Sequence, residues 1–267
     1  MEGISIRDND VASLDNIAQG LVGLRIMLVN VFAVSDPGGW TLIDAGLYLS
    51  ADRIRRWATS HFGDQKPRSI VLTHGHFDHV GSLKELADGW DVPIYAHPLE
   101  MPYVTGKKQY PKPDPTVGGG MMSLLAPFYP RGPIDVSDRV RELPQDGSVP
   151  DLPGWRAIHT PGHTEGHVSF FREDDRALIV GDAFTTTKQE SVTAIATQRP
   201  ELHGPPAYYT SDWDAARISV EKLAQLRPNV VAAGHGLPMA GPEVANALTD
   251  LATNFDLIAR PQTKRVA

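Results

Sequence analysis

The stretch "SIVLTHGHFDHVGS", residues 69–82, decides how this chain is interpreted. An apolar run leads into four side chains of types that bind metal ions: His74, His76, Asp78 and His79. Imidazoles two residues apart with a carboxylate beside them have no ordinary packing role, because burying them without a metal leaves several polar groups unsatisfied. We therefore predict that a short buried strand ends here in a metal site.

The composition is that of an ordinary globular protein, and it excludes several kinds of site. The chain has 267 residues, of which 41% are hydrophobic and 21% charged. It contains no cysteine, so disulfides, thiolate metal ligands and cysteine nucleophiles are excluded. With a net charge of −7, no long run of Lys or Arg, no signal-peptide pattern and no apolar run long enough to cross a bilayer, the chain is expected to be a cytoplasmic enzyme. Its expected partner is a small-molecule substrate, with no nucleic acid and no membrane.

Strand and helix patterns alternate along most of the chain. Apolar runs bounded by turn residues predict strands at 26–34, 40–46, 69–73, 92–97, 155–160, 167–171, 176–182 and 229–236. Helical periodicity and capping residues predict helices at 50–62, 82–90, 212–226 and 242–258. Strands interleaved with helices, together with two hairpins, indicate a layered α/β architecture with mixed sheets.

Residues 100–135 interrupt this alternation. The segment contains seven prolines and a triple glycine, and it is too apolar for a linker and too rich in proline for a regular element. Long ordered loops in compact domains are often functional. We therefore predict a single domain over residues 1–267, with the 100–135 insertion as a cover for the substrate pocket and a short helix at 120–127.

This insertion and a second irregular stretch, 185–210, supply the candidate substrate contacts. The candidates are Met122, Tyr129, Tyr208 and Tyr209. A phenol near a pair of metal ions could donate a hydrogen bond to a developing oxyanion. Aromatic packing of a long loop is the alternative role for each tyrosine.

Further candidate ligands stand at the ends of later strands. His163, Asp182 and His235 each close or follow a predicted strand, and ligands at strand ends sit on a rigid scaffold and meet at one edge of a sheet. Histidine and carboxylate ligands without thiolate suit zinc, with iron or manganese as alternatives. Seven candidates are too many for one tetrahedral ion, so two zinc ions per chain are predicted.

Four motifs resemble those of the metallo-β-lactamase fold superfamily, and in particular its glyoxalase II-like hydrolases. They are "THGHFDHVG", "TPGHTEGH", "VGDAF" and "AAGHG", which follow the family's order over residues 73–236. The resemblance implies an αβ/βα four-layer sandwich with two mixed β-sheets and the metals at one edge. The motif "LIDAG", residues 42–46, is similar to the family's strand-end signature, which implies that Asp44 supports the site rather than binding metal.

The resemblance also implies a division of the ligands between two ions. The first ion would be held by His74, His76 and His163, the second by Asp78, His79 and His235, and Asp182 would bridge the two. His159 and His167, which flank His163, are predicted to support the site or the fold rather than to bind metal.

The activity implied is that of a dinuclear zinc hydrolase, a lactonase or esterase, which cleaves an ester, lactone or thioester by attack of a metal-bound hydroxide. Asp78 and Asp182 are the candidate catalytic residues, because they would orient ligands and carry a proton to the leaving group. β-Lactamases with a cysteine ligand are excluded, since the chain has no cysteine. The short region after His235 makes glutathione thioesters poor candidates.

Two alternatives stay open from the sequence. One is an oxidoreductase similar to the persulfide dioxygenases, which share many of these motifs and use a single iron. The other is a catalytically silent member of the fold that binds a ligand. A homodimer is compatible with the sequence but is not indicated by any particular residue.

Overall fold

Two β-sheets packed face to face, with helices on both outer faces, form the framework of the protein. The computed structural model describes residues 11–114, 117, 129–131, 134–187 and 201–261. The sheets contain seven and five strands, and each combines parallel with antiparallel pairs. The predicted αβ/βα sandwich with two mixed sheets is therefore confirmed.

The strands of the first sheet lie in the order of the sequence. They are β1 (Val11–Ala18), β2 (Leu21–Ile26), β3 (Val29–Asp36), β4 (Gly39–Ile43), β5 (Ile70–Val71), β6 (Ile94–Ala96) and β7 (Val140–Glu142). Strands β1 to β4 pair antiparallel, whereas β4 to β7 pair parallel. Parallel neighbours need crossover connections, and these contain helix α1 (Ala51–Phe62), then helices α2 (Phe77–Val80) and α3 (Leu83–Trp90), and then α4 (Met101–Val104).

The second sheet has the spatial order β12-β11-β10-β9-β8. Its strands are β8 (Trp155–His159), β9 (Val168–Arg172), β10 (Ala177–Gly181), β11 (Val230–Ala233) and β12 (Met239–Ala240). Helix α5 (Trp213–Gln225) connects the parallel pair β10 and β11. Helices α6 (Glu243–Thr253) and α7 (Phe255–Ile258) follow the last strand and complete the outer layer.

Alternation along the strands supplies three apolar layers. Successive side chains of a strand point to opposite faces of the sheet. On β3, Val31 and Ala33 pack towards α1 and α3, while Phe32 and Val34 pack between the two sheets. On β10, the same alternation sends Leu178 to the helices of the second outer layer. Both faces of each sheet are therefore covered by apolar packing, which leaves the edges of the sandwich available for a functional site.

Several element boundaries differ from the sequence predictions. The apolar run 26–34 is divided between β2 and β3 by a turn in which Met27 has a φ of 57°. The predicted helix 242–258 is interrupted at Asn254 and forms α6 and α7. Strands β1, β2, β7 and β12 were not predicted, apart from Ile26 at the end of β2. Strands β1 and β7 are largely exposed or half-exposed, and β12 has only two residues. The predicted helix 120–127 and Met122 lie outside the described residues.

Among the described residues, every helix falls short, in length or in apolar character, of what a bilayer crossing requires.

Candidate metal centre

The predicted ligands come together where strands of both sheets end. His74 and His76 follow β5, and α2, which comes directly after them, carries Asp78 and His79. His163 lies between β8 and β9, Asp182 directly follows β10, and His235 follows β11. A hydrogen bond from Val168 N to Thr73 O, 2.9 Å long, joins the two sheets beside these loops. All seven side chains are buried except that of Asp78, which is 18% exposed.

Three sets of three side chains are each compact enough to hold one ion; one of them, His74, His79 and Asp182, overlaps the other two, which are called here the first and second groups. The first group is His74, His76 and His163, and the second is Asp78, His79 and His235. Within each group, the atoms that can act as ligands lie within 4.8 Å of one another. This is the division that the family resemblance implies, and the role of each side chain as a ligand remains a prediction.

Asp182 lies between the two groups. Its Oδ1 atom is 3.5 Å from His79 Nε2, and its Oδ2 atom is 3.1 Å from His235 Nε2. On the other side, Oδ2 is 3.5 Å from Nε2 of His163, which belongs to the first group. One carboxylate thus contacts side chains from both groups, as a bridging ligand must.

Several buried atoms at this centre need a partner that the protein itself does not supply. In the described part of the chain, His74 Nε2, His79 Nε2 and Asp182 Oδ1 are buried and make no hydrogen bond. Leaving such atoms unsatisfied costs about 1–3 kcal/mol each. Divalent cations held by the groups described above would satisfy these atoms. The donors are nitrogen and oxygen without sulfur, so the set fits zinc, and it also fits iron or manganese.

The protonation of the first group matches the needs of a metal site. Burial, together with the neighbouring histidines, holds the pKa of His74 and of His76 well below the usual value. Burial lowers the pKa of His163 to about 4. These imidazoles are therefore neutral near pH 7, which is the state in which histidine binds metals.

The second group is dominated by negative charge. Burial alone would lower the pKa of His79, but Asp182, Asp44 and Asp78 outweigh it and hold that pKa well above the usual value. Burial alone would raise the pKa of Asp182, but His235 and His79 outweigh it and hold that pKa well below the usual value. The three carboxylates thus favour a cation at this position, and a metal ion can take the place of the protons.

Asp44 lies behind the site and bonds to His79, a position that agrees with the supporting role implied by the resemblance. Its Oδ2 atom accepts a hydrogen bond from His79 Nδ1 at 2.8 Å. Its two oxygens also accept hydrogen bonds from the backbone N–H and the hydroxyl of Thr73, both at 2.8 Å. This arrangement directs Nε2 of His79 towards Asp182 and the centre of the site.

His167 lies behind the site and does not belong to either group. Its Nε2 atom accepts a hydrogen bond from the backbone N–H of Asp182 at 2.8 Å, and its Nδ1 atom lies 2.9 Å from the hydroxyl of Thr160. Burial lowers the pKa of His167 to about 3. The ring is therefore neutral and holds the backbone of Asp182 in place.

A cavity of about 130 Å³ opens beside His76 and His163. Its wall includes Tyr208 and Tyr209, and part of the 100–135 insertion, residues 103 and 110–114. The hydroxyl of Tyr209 is buried and, among the described residues, has no hydrogen-bond partner. Burial raises the pKa of Tyr209 well above its usual value, and the charge of Asp78 adds to this effect. Tyr209 is therefore a neutral phenol that can donate a hydrogen bond.

Tyr129 lies beside the helix that carries Asp78 and His79, and its role as a substrate contact remains a prediction. Its ring lies 5.3 Å from that of Phe77, in the helix that carries Asp78 and His79. Its ring therefore packs against the metal motif.

Sequence analysis missed Glu100, which is fully buried next to the first group. Burial raises the pKa of its carboxyl, although four hydrogen bonds from Tyr110, Thr164, Gly75 and Gly166 oppose that rise. No local signal marks this residue, because most of its partners lie far away in the sequence. The glycines in "HGH" and "TEGH" are the sequence signal that could have indicated a group packed against the backbone of both motifs.

Comparisons with known proteins agree with this architecture. The sequence profile of the metallo-beta-lactamase superfamily matches residues 24–235. The chain is 46% identical over 245 residues to a Bacillus subtilis (strain 168) protein named "Probable metallo-hydrolase YflN", which covers 90% of this chain and 93% of that protein. Among solved structures, TTHA1623 in a di-iron-bound form has a TM-score of 0.55 and 29% identity, covering 81% of this chain and 92% of that one. The B3 metallo-beta-lactamase BLEG-1 shares the fold, with a TM-score of 0.58, 22% identity, and coverage of 83% and 91%.

Proposed function

This chain belongs to the metallo-β-lactamase superfamily, and from that premise we propose that it is a dinuclear metal-dependent hydrolase of a small-molecule ester, lactone or thioester. One observation carries the proposal: Asp182 contacts histidines of two separate groups, each compact enough for one ion. A site for a single ion would not need the second group. The name of the Bacillus relative and the two irons of TTHA1623 support the same conclusion.

The residues that would hold the ions follow from the two groups. His74, His76 and His163 would bind one ion, Asp78, His79 and His235 the other, and Asp182 both. Zinc is the proposed metal, with iron or manganese as alternatives. Bound divalent ions would lower the pKa of a coordinated water and polarise the substrate carbonyl.

The side chains around the ions have separate tasks. Asp182 is buried and touches both groups, so its task is to fix how far apart they lie. Asp78 is partly exposed, and its Oδ2 atom lies 3.4 Å from His235 Nε2. Because Asp78 faces solvent more than Asp182 does, it is the carboxylate that can pass a proton to a leaving group.

Tyr209 is proposed to stabilise the oxyanion. Its neutral hydroxyl is buried in the wall of the cavity beside His76 and has no partner among the described residues. A hydrogen bond donated to the carbonyl oxygen becomes stronger as negative charge develops there, and this lowers the barrier. Aromatic packing alone would leave a buried hydroxyl unsatisfied, at a cost of about 1–3 kcal/mol.

Metal content and turnover together test this proposal. Protein purified without chelator should contain about two metal ions per chain and should hydrolyse members of a panel of aryl esters, lactones and thioesters. A stable value of one iron per chain, with oxygen consumed in the presence of persulfides, would replace the hydrolase by an oxidoreductase. Absence of both metal and turnover would make the chain a silent member of the fold.

A further inference from the structure

We propose that Glu100 is a positioning residue that holds the two ligand loops of the first metal group in register with the substrate pocket. The first ligand loop is residues 74–76, and the second ligand loop is residues 163–167. The inference rests on the proposed function, since it takes His76 and His163 as ligands of one ion.

Each carboxylate oxygen of Glu100 serves one side of the site. Oε2 accepts hydrogen bonds from Gly75 N, at 2.9 Å, in the first ligand loop and from the hydroxyl of Tyr110. Oε1 accepts from Thr164 Oγ1 at 2.7 Å and from Gly166 N at 3.0 Å, both in the second ligand loop. Four donors thus converge on a side chain that is fully buried, and an ionised carboxylate, which only accepts, matches them.

Each ligand loop has a glycine where its backbone passes close to Glu100. A Cβ atom added to Gly166 would lie 2.8 Å from Oε1 of Glu100. A Cβ atom added to Gly75 would lie 2.6 Å from the hydroxyl of Tyr110 and 3.2 Å from Oε2 of Glu100. Only glycine lets the two loop backbones come so close to one carboxylate, so the loops and Glu100 form one arrangement.

The same carboxylate reaches the wall of the substrate pocket. Tyr110 lines the cavity, and its ring lies 4.4 Å from that of His76 and 3.9 Å from that of Tyr103. The hydroxyl of Tyr110 also accepts a hydrogen bond from Gly75 N at 3.0 Å. Glu100 therefore connects the pocket wall to the backbone next to His76.

Stability of the fold does not account for this arrangement. A buried carboxylate pays a large desolvation cost, and replacing a buried charged group by apolar residues is often neutral or stabilising. The groups that Glu100 contacts lie outside the strands, in the segments that carry the ligands and the pocket wall. What Glu100 achieves is the mutual placement of His76 Nδ1 and His163 Nε2, which are 2.9 Å apart.

Glu100→Gln tests the proposal with almost no change of shape. The amide group places donors where one oxygen had accepted, so whichever way it points it faces one backbone N–H, of Gly75 or Gly166, whose hydrogen bond is lost, and the hydroxyl beside that N–H must turn to accept instead. In a cobalt(II) titration followed by visible absorption, we expect two binding steps in the parent protein. In the variant, the cobalt affinity of one step should fall by about tenfold or more, because outer partners of ligands typically contribute 10–100-fold to affinity. The absorption band of that step should shift as well.

Other variants assign that step and separate positioning from general destabilisation. His163→Ala should abolish the step that Glu100→Gln weakens, which identifies it as the first group. Tyr110→Phe should weaken the same step less, because Gly75 N keeps its bond to Oε2. Asp36→Asn is the matched control: it also turns an acid into an amide, but its partners are Gly38 and Arg68. It should lower the melting temperature of the metal-free protein and leave both steps unchanged.

The outcomes are distinct. Weaker cobalt binding by the Glu100→Gln variant, confined to the step that His163→Ala abolishes, supports the proposal. Unchanged steps with a lowered melting temperature, as in the control, would overturn it, and so would equal weakening of both steps. If Glu100→Gln does not fold, Thr164→Val, which removes a single donor, carries the same expectation. If the parent protein binds no cobalt, the proposed function itself fails, and this inference falls with it.

Discussion

At the scale of single residues, the geometry of the site depends on the hydrogen bond that each imidazole makes through the nitrogen facing away from the centre of the site. Nδ1 of His79 bonds to Asp44 at 2.8 Å, and Nδ1 of His235 bonds to the carbonyl of Leu28 at 2.6 Å. Carbonyl and carboxylate oxygens only accept, so Nδ1 carries the hydrogen in both rings. Each Nε2 is therefore held in one direction, facing Asp182, and is the atom that would bind a metal.

Substitution of individual histidines should separate ligands from supports. His163→Ala and His235→Ala should each remove a ligand from a different ion, so activity should collapse while the fold survives on its apolar layers. His167→Ala should have a milder effect, because it holds the backbone of Asp182 and belongs to neither group. Elemental analysis, kinetics and circular dichroism of the three variants check this expectation. Equal losses in all three would show that the division between ligands and supports is wrong.

The buried, neutral state of His167 predicts a dependence on pH. Because burial lowers its pKa to about 3 in the folded state, against about 6.5 in the unfolded state, the unfolded chain binds a proton first as the pH falls. The presence of His167 therefore costs stability below about pH 6.5, by up to about 1.4 kcal/mol per pH unit. His167→Asn lacks this cost, so its stability relative to the parent should rise as the pH falls from about 7 to 5.

Urea unfolding of both metal-free proteins at the two pH values measures this change. Other titrating groups are common to both proteins and cancel in the difference to first order. A difference in unfolding free energy that does not change with pH would contradict the prediction.

Among the secondary-structure elements, short connections supply much of the support for the site. The turn between β2 and β3 places the carbonyl of Leu28 against His235, and Met27 reaches that geometry with a φ of 57°. Helix α5 begins with Asp212, whose carboxylate accepts hydrogen bonds from the backbone N–H groups of Asp214 and Ala215. Ser50, the first residue of the predicted helix 50–62, is of a capping type and precedes α1 directly, but its side chain makes no capping bond. A capping sequence therefore indicates where a helix begins, and it does not show that the hydroxyl is used.

This difference between the two caps can be measured. Asp212→Ala removes a working cap and should lower the free energy of unfolding by about 1 kcal/mol. Ser50→Ala should cost much less, because the Ser50 hydroxyl is buried and has no hydrogen-bond partner in the described part of the chain. Urea denaturation of both variants tests the pair. An equal cost for both would mean that Ser50 caps α1 in solution.

Across the whole molecule, the site exists only where the two sheets meet. The first sheet leads into His74, His76, Asp78 and His79, and the second leads into the remaining ligand candidates. Asn30 of β3 joins the sheets at this edge, since its side chain donates to the carbonyls of Ala233, at 2.9 Å, and Gly236, at 2.7 Å. Metal binding would therefore link the two halves of the sandwich and stabilise the folded state by mass action.

The position of Asp182 between the two groups leads to a prediction about substrates. A shared carboxylate keeps two ions close together, which suits attack on a carbonyl whose leaving group is an alkoxide or a thiolate. Cleavage of a β-lactam expels a nitrogen that must be stabilised or protonated. Activated esters or lactones should therefore be cleaved at least about tenfold faster, in kcat/KM, than penicillins or cephalosporins, a difference of about 1.4 kcal/mol in transition-state stabilisation.

Side-by-side kinetics with zinc-loaded protein decide between the two substrate classes. Faster turnover of β-lactams would contradict the inference from Asp182 and place the chain with the lactamases in activity as well as in fold.

Much of the fold and of the candidate metal centre could be predicted from the sequence, because the residues that determine them stand close together in the chain. His74, His76, Asp78 and His79 stand within one turn of chain, and apolar runs lead directly to His163, Asp182 and His235. A strand is a short apolar run with a defined end, so a layered α/β architecture and candidate ligands at the strand ends could be predicted from such patterns, whereas the αβ/βα sandwich was implied by the family resemblance. The glyoxalase II-like subtype, the zinc and the substrate class remain predictions, because they depend on the pocket and not on the strands.

Tertiary structure alone decided the features that join distant parts of the chain. Glu100 stands 25 residues from Gly75 and 66 from Gly166, and Asn30 stands 203 residues from Ala233. A hydrogen bond depends on a few ångströms and a direction, whereas hydrophobic periodicity records only which face of an element is buried. Periodicity survives in the sequence as a repeating pattern, but a single buried glutamate and the donors that satisfy it are brought together only when the chain has folded.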